Sequence, residues 1–256
     1  MPDLVFDVGV FDGEDSTYYL ARGFRVVGIE ANPIMAARVR QRLAEPIRDG
    51  RFELLNVGIS AEAVPTEFWV SDVPEWSSFS HANASRNGVA ATPILVNTIT
   101  FRDILERYGV PTYLKVDIEL LDQACLEALD PRNLPTFLSC EAGDNALDLL
   151  ALMHRHGYNR FKYIDQRDFA AVSLAHVYLP NSLIRLKAKF RREIFPICRE
   201  GWRFKYGSSG PFGNSTQGSW RSYEEMKHLL TSYLGVAKAS NFFGYTAWFD
   251  LHATIR

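Results

Sequence analysis

The feature that most constrains this chain is a glycine turn between two short apolar stretches near the N-terminus. Residues 4–8 run into a turn that contains Gly9 and Gly13, and a second stretch, residues 25–30, ends at Glu30. Glycine is needed where backbone turns sharply or touches a ligand, and a carboxylate about twenty residues further on can hold both hydroxyls of a ribose. The pattern predicts a strand, turn, helix and strand unit that binds a nucleoside.

The charge of the turn narrows the choice of ligand. Its acidic residues are Asp7, Asp12, Glu14 and Asp15. Anions would oppose the contact between a pyrophosphate and a helix N-terminus, and the turn also lacks the middle glycine of G-x-G-x-x-G. S-adenosylmethionine, in contrast, carries a sulfonium and an ammonium. The sequence therefore favours a methyltransferase over an NAD-dependent oxidoreductase, which is the enzymatic alternative.

A purely structural interpretation of the turn is also available. Gly9 and Gly13 could make a tight connection only, with the acids capping the following helix and favouring its positive end. Glu30, followed by Asn32 and Pro33, shifts the balance toward ligand binding because both features fall where one ligand could touch them.

The composition predicts one globular domain, residues 1–256, that carries an insertion. The chain has 256 residues, of which 47% are hydrophobic and 23% charged, and a formal charge of −2. Its apolar runs are too short to cross a bilayer and its N-terminus does not resemble a signal peptide, so we expect a cytoplasmic protein. Three cysteines without C-x-x-C spacing argue against a disulfide framework or a zinc site.

Apolar stretches alternate with helical patterns through the first two thirds of the chain, which predicts a parallel α/β sheet covered on both faces. Predicted strands are 4–8, 25–30, 52–57, 113–118, 136–141, 159–164 and 243–251. Predicted helices are 14–22, 33–44, 100–108, 120–129, 144–156 and 222–234. A long hairpin is expected where residues 66–71 and 93–97 look extended. The region of about 166–240 is predicted to be an insertion, and its stretch 207–218 a lid or a disordered loop.

Several segments, taken in order, resemble the FkbM family of S-adenosylmethionine-dependent methyltransferases. They are Val5-Phe6-Asp7-Val8-Gly9 with Gly13, Glu30 with Asn32-Pro33, Asn56-Val57-Gly58-Ile59-Ser60, Trp76-Ser77-Ser78-Phe79, Leu114-Lys115-Val116-Asp117-Ile118-Glu119 and Leu138-Ser139-Cys140-Glu141. The resemblance implies a class I methyltransferase fold, a Rossmann-like seven-stranded mixed sheet with helices on both faces, whose antiparallel last strand lies between strands five and six. It also implies O-methylation, commonly of sugar or polyketide hydroxyls. Leu120 stands where the family has glycine, so a catalytically inactive cofactor-binding protein is a third hypothesis.

The predicted cofactor residues follow the carboxyl edge of the sheet, where ligands of open α/β folds bind. Those assigned to the methionine end are Asp7, Gly9, Asp12, Gly13 and Ser16. Glu30 and Asn32 are assigned to the ribose, Ser60 to the border of the adenine, and Ser78, within Trp76-Ser77-Ser78, to a loop that closes over the cofactor.

A base is needed only for the acceptor hydroxyl, since the sulfonium already activates the methyl group. Asp117 and Glu119 are the predicted catalytic residues, with His81 and His252 as alternatives. Lys115 offers a different interpretation for Asp117, because the two could form a buried ion pair.

Asp117, Glu141 and Asn145 could bind Mg²⁺ through oxygen ligands, although only their positions at strand ends support a metal. The predicted acceptor is a small polar molecule or saccharide. It could be anionic, because the stretch from Arg185 to Lys205 holds eight Lys and Arg against two Glu. Nucleic acid is not predicted, given the slightly negative overall charge. The sequence gives no oligomeric state.

Overall fold

The computed structural model of the chain describes residues 3–118, 121–173, 198–199, 201–204, 208–239 and 249–256. The chain divides into two compact units, Met1–Asn133 and Leu134–Arg256.

The first unit alternates strands and helices and carries a hairpin. Its elements are β1 (Leu4–Val8), α1 (Glu14–Ala21), β2 (Arg25–Ile29), α2 (Pro33–Arg42), α3 (Ala44–Arg48), β3 (Phe52–Leu55), β4 (Gly58–Ile59), β5 (Thr66–Ser71), α4 (His81–Ala84), β6 (Ala91–Val96), β7 (Thr98–Ile99), α5 (Phe101–Tyr108), β8 (Tyr113–Val116) and α6 (Asp122–Glu127).

Four parallel strands of this unit form a sheet in the order β8, β1, β2, β3. Val5, Phe6 and Val8 of β1 are completely buried, as is typical of a strand covered on both faces. The ring of Phe6 packs edge-on against that of Phe101 in α5, with 6.3 Å between the centroids. Because the strands are parallel, the segments that follow β1, β2 and β8 meet at one edge of the sheet.

The predicted hairpin is confirmed. Strand β5 pairs antiparallel with β6, from Thr66 opposite Val96 to Ser71 opposite Ala91. The segment between these strands is more ordered than a simple loop, since it contains α4 and the Ser71 hydroxyl donates to the carbonyl of Ala84 at 2.7 Å. A short parallel pair, β4 with β7, forms at the base of the hairpin and was not predicted.

The second unit contains the antiparallel strand. Its elements are β9 (Phe137–Glu141), α7 (Ala146–His156), β10 (Arg160–Asp165), β11 (Ala170–Ala171), β12 (Cys198–Arg199), β13 (Trp202–Arg203), α8 (Tyr223–Ala239) and β14 (Phe249–Thr254). Strand β14 lies between β9 and β10 and runs antiparallel to both. The two-residue β11 pairs with β10.

The predicted fold class, a Rossmann-like class I methyltransferase sheet, is confirmed. All seven predicted strands are present, four in the first unit and three in the second, and the last strand is antiparallel as expected; β11 is additional. The predicted end of the last strand was too early, because the strand continues to Thr254 and all six of its residues are buried. The predicted first part of this strand, 243–248, lies outside the described residues.

The described part of the 207–218 stretch packs within the second unit. Ser208 and Ser209 are buried, and Nζ of Lys162 in β10 donates to the carbonyl and the hydroxyl of Thr216 at 3.1 and 2.9 Å. Most of the basic stretch 185–205 lies outside the described residues. A lid in the region of about 166–240 stays a prediction. In the described ranges, none of the helices is long and apolar enough to cross a membrane.

Candidate functional site

Gly9 forms the tightest part of the turn after β1. Its φ is +86°, and an added Cβ would lie 1.9 Å from the backbone oxygen of Asp117, so a side chain requires the backbone here to shift. The Gly9 N–H donates to the carbonyl of Ile29 at 2.9 Å. The turn thus joins the ends of β1 and β2 to the residue that follows β8.

Glu30 connects this turn to the start of α2. One carboxylate oxygen accepts from the N–H of Phe11 at 2.8 Å, and the other accepts from the N–H of Asn32 at 2.7 Å. Asn32 in turn caps α2 through the N–H of Ile34 at 3.0 Å. Phe11 has a φ of +52°, an uncommon value outside glycine. The bond to Glu30 is therefore one of the contacts that hold the turn in a strained shape.

Glu30 is only 9% exposed, and burial raises its pKa to about 7. The two backbone N–H groups and Lys115 act in the opposite direction, whereas Asp7 raises this pKa further. In the ligand-free protein, the Glu30 side chain is therefore partly protonated near neutral pH.

This raised pKa predicts a pH dependence of stability. A proton on Glu30 favours the folded state, so this contribution is fully present below pH 4.5 and is lost as pH rises through about 7. Its full size is about 3 kcal/mol. Urea unfolding of the ligand-free protein and of Glu30→Gln between pH 4.5 and 8 measures it. The wild-type free energy of unfolding should fall relative to that of the variant, and parallel curves would contradict the prediction.

Lys115 lies among three carboxylates behind the turn. Its Nζ is 3.2 Å from Oδ1 of Asp7, 3.6 Å from Oδ2 of Asp117 and 3.8 Å from Oδ2 of Asp15. It also donates to the carbonyl of Gly9 at 3.1 Å. Burial lowers the pKa of Lys115, but the carboxylates outweigh burial and hold it well above its usual value. Lys115 is therefore an ammonium that binds the turn from behind.

The other two acids of the turn, Asp12 and Glu14, form ion pairs with a second cation, Arg42. Nη1 of Arg42, at the end of α2, lies 3.2 Å from Oδ2 of Asp12 and 3.3 Å from Oε2 of Glu14. These ion pairs are partly exposed and contribute little to stability. With every acid ionised, six carboxylates and two cations leave a net charge of −4 around the turn. The six acids are Asp7, Asp12, Glu14, Asp15, Glu30 and Asp117.

The sequence matches the family model of the methyltransferase FkbM domain over residues 7–160, which is more than half of the chain. The chain belongs to the FkbM methyltransferase family. Membership implies the use of S-adenosylmethionine as methyl donor. A comparison with curated proteins found no match.

Solved structures with a similar fold are distant from this FkbM domain. The C-terminal domain of precorrin-6Y C5,15-methyltransferase from Rhodobacter capsulatus is 14% identical, with a TM-score of 0.40 and coverage of 64% of this chain and 67% of that one. StiE O-MT is 11% identical, with a TM-score of 0.43 and coverage of 98% of this chain and 67% of that one. The methyltransferase domain of bacterial CtHen1-CN is 10% identical, with a TM-score of 0.39 and coverage of 67% of this chain and 82% of that one.

Two observations on this FkbM domain fit the charge and shape of its implied methyl donor. Each oxygen of Glu30 accepts one backbone hydrogen bond, which leaves on each oxygen a lone pair to which a ribose hydroxyl could donate. The surplus of carboxylates around Gly9 suits a sulfonium and an ammonium.

Ser60 and Ser78, two of the three serines predicted for the cofactor site, make contacts within the hairpin region. The Oγ atom of Ser60 lies within hydrogen-bonding distance of the Glu62 carbonyl and of Oγ1 of Thr98. Ser78 is buried, and its Oγ accepts from the N–H of Ser80 at 3.1 Å. It is the neighbouring Ser77 whose Oγ accepts from Nδ2 of Asn32, at 3.3 Å.

Ser16 and Asp7 form a close pair in the structure, with the hydroxyl of Ser16 donating to Oδ2 of Asp7 at 2.6 Å. Both residues are completely buried. They therefore support the turn from inside the unit.

The two histidines predicted as alternative bases, His81 and His252, have different surroundings. The ring of His81 packs on that of Trp69, with 4.2 Å between centroids. His252, in the second unit, is buried, and burial together with the charge of Lys162 lowers its pKa to about 3.

Glu119, with Leu120, lies outside the described residues. Within the described ranges, no group of three or more His, Cys, Asp and Glu side chains could hold a metal ion, and Oδ1 of Asn145 accepts from the N–H of Gly143.

Sequence reasoning missed three contributors to this site, namely Arg42, Ser77 as the partner of Asn32, and the strained Phe11. It considered Lys115 only as a partner of Asp117. Lys115 lies closer to Asp7 than to Asp117. The parallel register of β1 and β8, in which Asp7 lies opposite Lys115, is the signal that would have identified this pair.

Proposed function

We propose that this FkbM methyltransferase is an O-methyltransferase that acts on a hydroxyl of a small polar acceptor, of the saccharide or natural-product class. The observation that carries the proposal is Glu30, a buried acid at the end of β2 whose two oxygens lie between backbone N–H groups beside a glycine turn. Family membership supports methyl transfer, and Asp117 supports a hydroxyl as acceptor.

In this proposal Glu30 and Asn32 hold the ribose, and Gly9, Asp12 and Gly13 lie along the methionine end. Asp7 and Ser16 are buried, so they would act through the shape of the turn. Ser60 and Ser78 would act through the hairpin region, which bonds to Asn32 by way of Ser77.

S-adenosylmethionine supplies a methyl group that its sulfonium already activates. The protein then has to align the acceptor hydroxyl and to accept its proton. The side chain of Asp117 is 25% exposed and lies 3.6 Å from the Lys115 ammonium. An accessible carboxylate at this edge can accept that proton. Glu119 remains a second candidate, and Mg²⁺ is not required by this proposal.

Calorimetric titration with S-adenosylmethionine, S-adenosylhomocysteine and NAD tests the cofactor. The first two should bind and NAD should not. Tight binding of NAD with no response to the others would overturn the proposal in favour of an oxidoreductase. Binding of the donor without methyl transfer to any member of a panel of glycans, nucleotide sugars and polyketide alcohols would favour a catalytically inactive protein.

Asp117→Asn should lower the rate of methyl transfer by about 10²–10⁴-fold, because amides are poor bases. Its Kd for S-adenosylhomocysteine should change by less than about threefold, since Asp117 is assigned to the acceptor. Transfer of a labelled methyl group to the acceptor found in the panel measures the rate. Asp49→Asn, an exposed substitution, is the control, and equal activity of the two variants would exclude Asp117 as the base.

The acceptor is expected to be a small molecule and not a nucleic acid. A phosphate or nucleotide group on the acceptor would suit the basic stretch 185–205. A cytoplasmic location stays a prediction. So does the treatment of residues 1–256 as a single FkbM-like domain.

A further inference from the structure

The Lys115 ammonium lies among three carboxylates behind the glycine turn, next to the residues that the proposed function assigns to the methionine end. Lys115 lies opposite Asp7 in the parallel pairing of β8 with β1, and only 3% of its side chain is exposed. Its bond to the Gly9 carbonyl fixes the turn at the residue where a side chain would require the backbone to shift. Lys115 therefore influences both the shape and the charge of the turn.

The groups around Lys115 come from each element packed against it. The carboxylates are Asp7 of β1, Asp15 of α1 and Asp117 after β8, with Glu30 after β2 exerting a weaker influence. The phenol of Tyr113 also interacts with Lys115, and that of Tyr19 interacts with Tyr113, Asp15 and Asp7. One ammonium thus stands against three close carboxylates, a net charge of −2.

We infer that Lys115 is a positioning residue of the methyl-donor site, which holds three carboxylates around the turn and so sets the preference for the positively charged donor over its neutral-sulfur product. The inference rests on the proposed function. S-adenosylmethionine and S-adenosylhomocysteine share their adenosine and amino-acid parts and differ in charge at sulfur. The ratio of their Kd values therefore reports the charge of this cluster, while the titration of Glu30 at the ribose affects both ligands alike.

Without the ammonium, three neighbouring carboxylates would repel one another, and one of them would take up a proton near neutral pH. The sulfonium would then compete with that proton. The preference for donor over product should consequently become dependent on pH in a variant that lacks Lys115.

The test measures Kd for both ligands by calorimetry at pH 6, 7 and 8. In Lys115→Met the ratio of product Kd to donor Kd should rise about tenfold from pH 6 to pH 8, which corresponds to 1.4 kcal/mol. In the wild type and in Lys115→Arg it should change by less than about threefold. Lys162→Met is the matched control, because Lys162 is equally buried at 3% exposure but bonds to Thr216 in the second unit.

If Lys115 has only a structural role, Lys115→Met should lower the stability of the protein and leave the ratio of product Kd to donor Kd independent of pH. That result would overturn the inference. If Lys115→Met does not fold, the double variant Asp7→Asn/Lys115→Met removes one charge of each sign and should keep a flat ratio, whereas Asp7→Asn alone should lower the wild-type preference for the donor. Equal ratios in Asp7→Asn and the wild type would also overturn it. Absence of binding of either ligand to the wild type would instead reject the proposed function.

Discussion

Gly9→Ala is expected to lower the free energy of unfolding by roughly 2–5 kcal/mol. A left-handed conformation costs a residue with a side chain about 1–2 kcal/mol, and crowding adds about 1–3 kcal/mol. The crowding arises because the new Cβ would meet the backbone oxygen of Asp117 at 1.9 Å, and backbone cannot rotate away as a side chain can. Thermal unfolding should show a Tm lowered by roughly 5–20 °C.

Gly23→Ala separates the two contributions. Gly23 has nearly the same φ, +88°, but nothing lies within 4 Å of an added Cβ. It should therefore show the conformational cost of about 1–2 kcal/mol alone. If Gly9→Ala lowered the free energy of unfolding no more than Gly23→Ala, the turn would not lie as close to the backbone of Asp117 as the structure places it.

Glu30→Ala should weaken binding of S-adenosylhomocysteine by about 10²–10⁴-fold. The substitution removes two hydrogen bonds that the ribose hydroxyls would donate to the Glu30 carboxylate, each contributing about 1.5–3 kcal/mol. It also removes the acceptors of the Phe11 and Asn32 N–H groups. The glycine turn and the start of α2 then lose the side chain that connects them. Isothermal titration calorimetry measures the change.

Glu53→Ala provides the comparison, since Glu53 lies on the adjacent strand β3 and is 47% exposed. Its Kd should equal that of the wild type. Unchanged binding by Glu30→Ala would remove Glu30 from the site and leave it as a connection between the turn and α2.

Local patterns in the sequence predicted the strands, the hairpin and the position of Glu30. Apolar runs of four to six residues that alternate with helical periodicity predict parallel strands, and each such strand presents the residue after it at the carboxyl edge. The break at Leu43, where a single helix 33–44 was predicted and α2 and α3 were found, was missed although it has a local signal. Pro46 has no N–H to donate to the carbonyl of Arg42, so one helix cannot continue through it undisturbed.

The sequence could also place acids in the turn, but it could not determine their partners. The interpretation of the turn as an unopposed anionic site was incomplete, since Asp12 and Glu14 pair with Arg42 and Asp7 pairs with Lys115. Both ligand binding and helix support are compatible with these contacts. Around the turn the carboxylates still outnumber the cations, so the excess of negative charge that the sequence predicts is present in the structure.

The sequence alone determined the order of strands and helices, the glycine turn and the acid that ends β2, because these depend on neighbours within a few residues. Only the tertiary structure decided the environment of those groups. Lys115 reaches Asp7 across 108 residues of chain, through the register of two parallel strands that a long crossover connects. The burial that raises the pKa of Glu30 likewise comes from packing of distant segments, and no local pattern specifies the dielectric surroundings of a carboxylate.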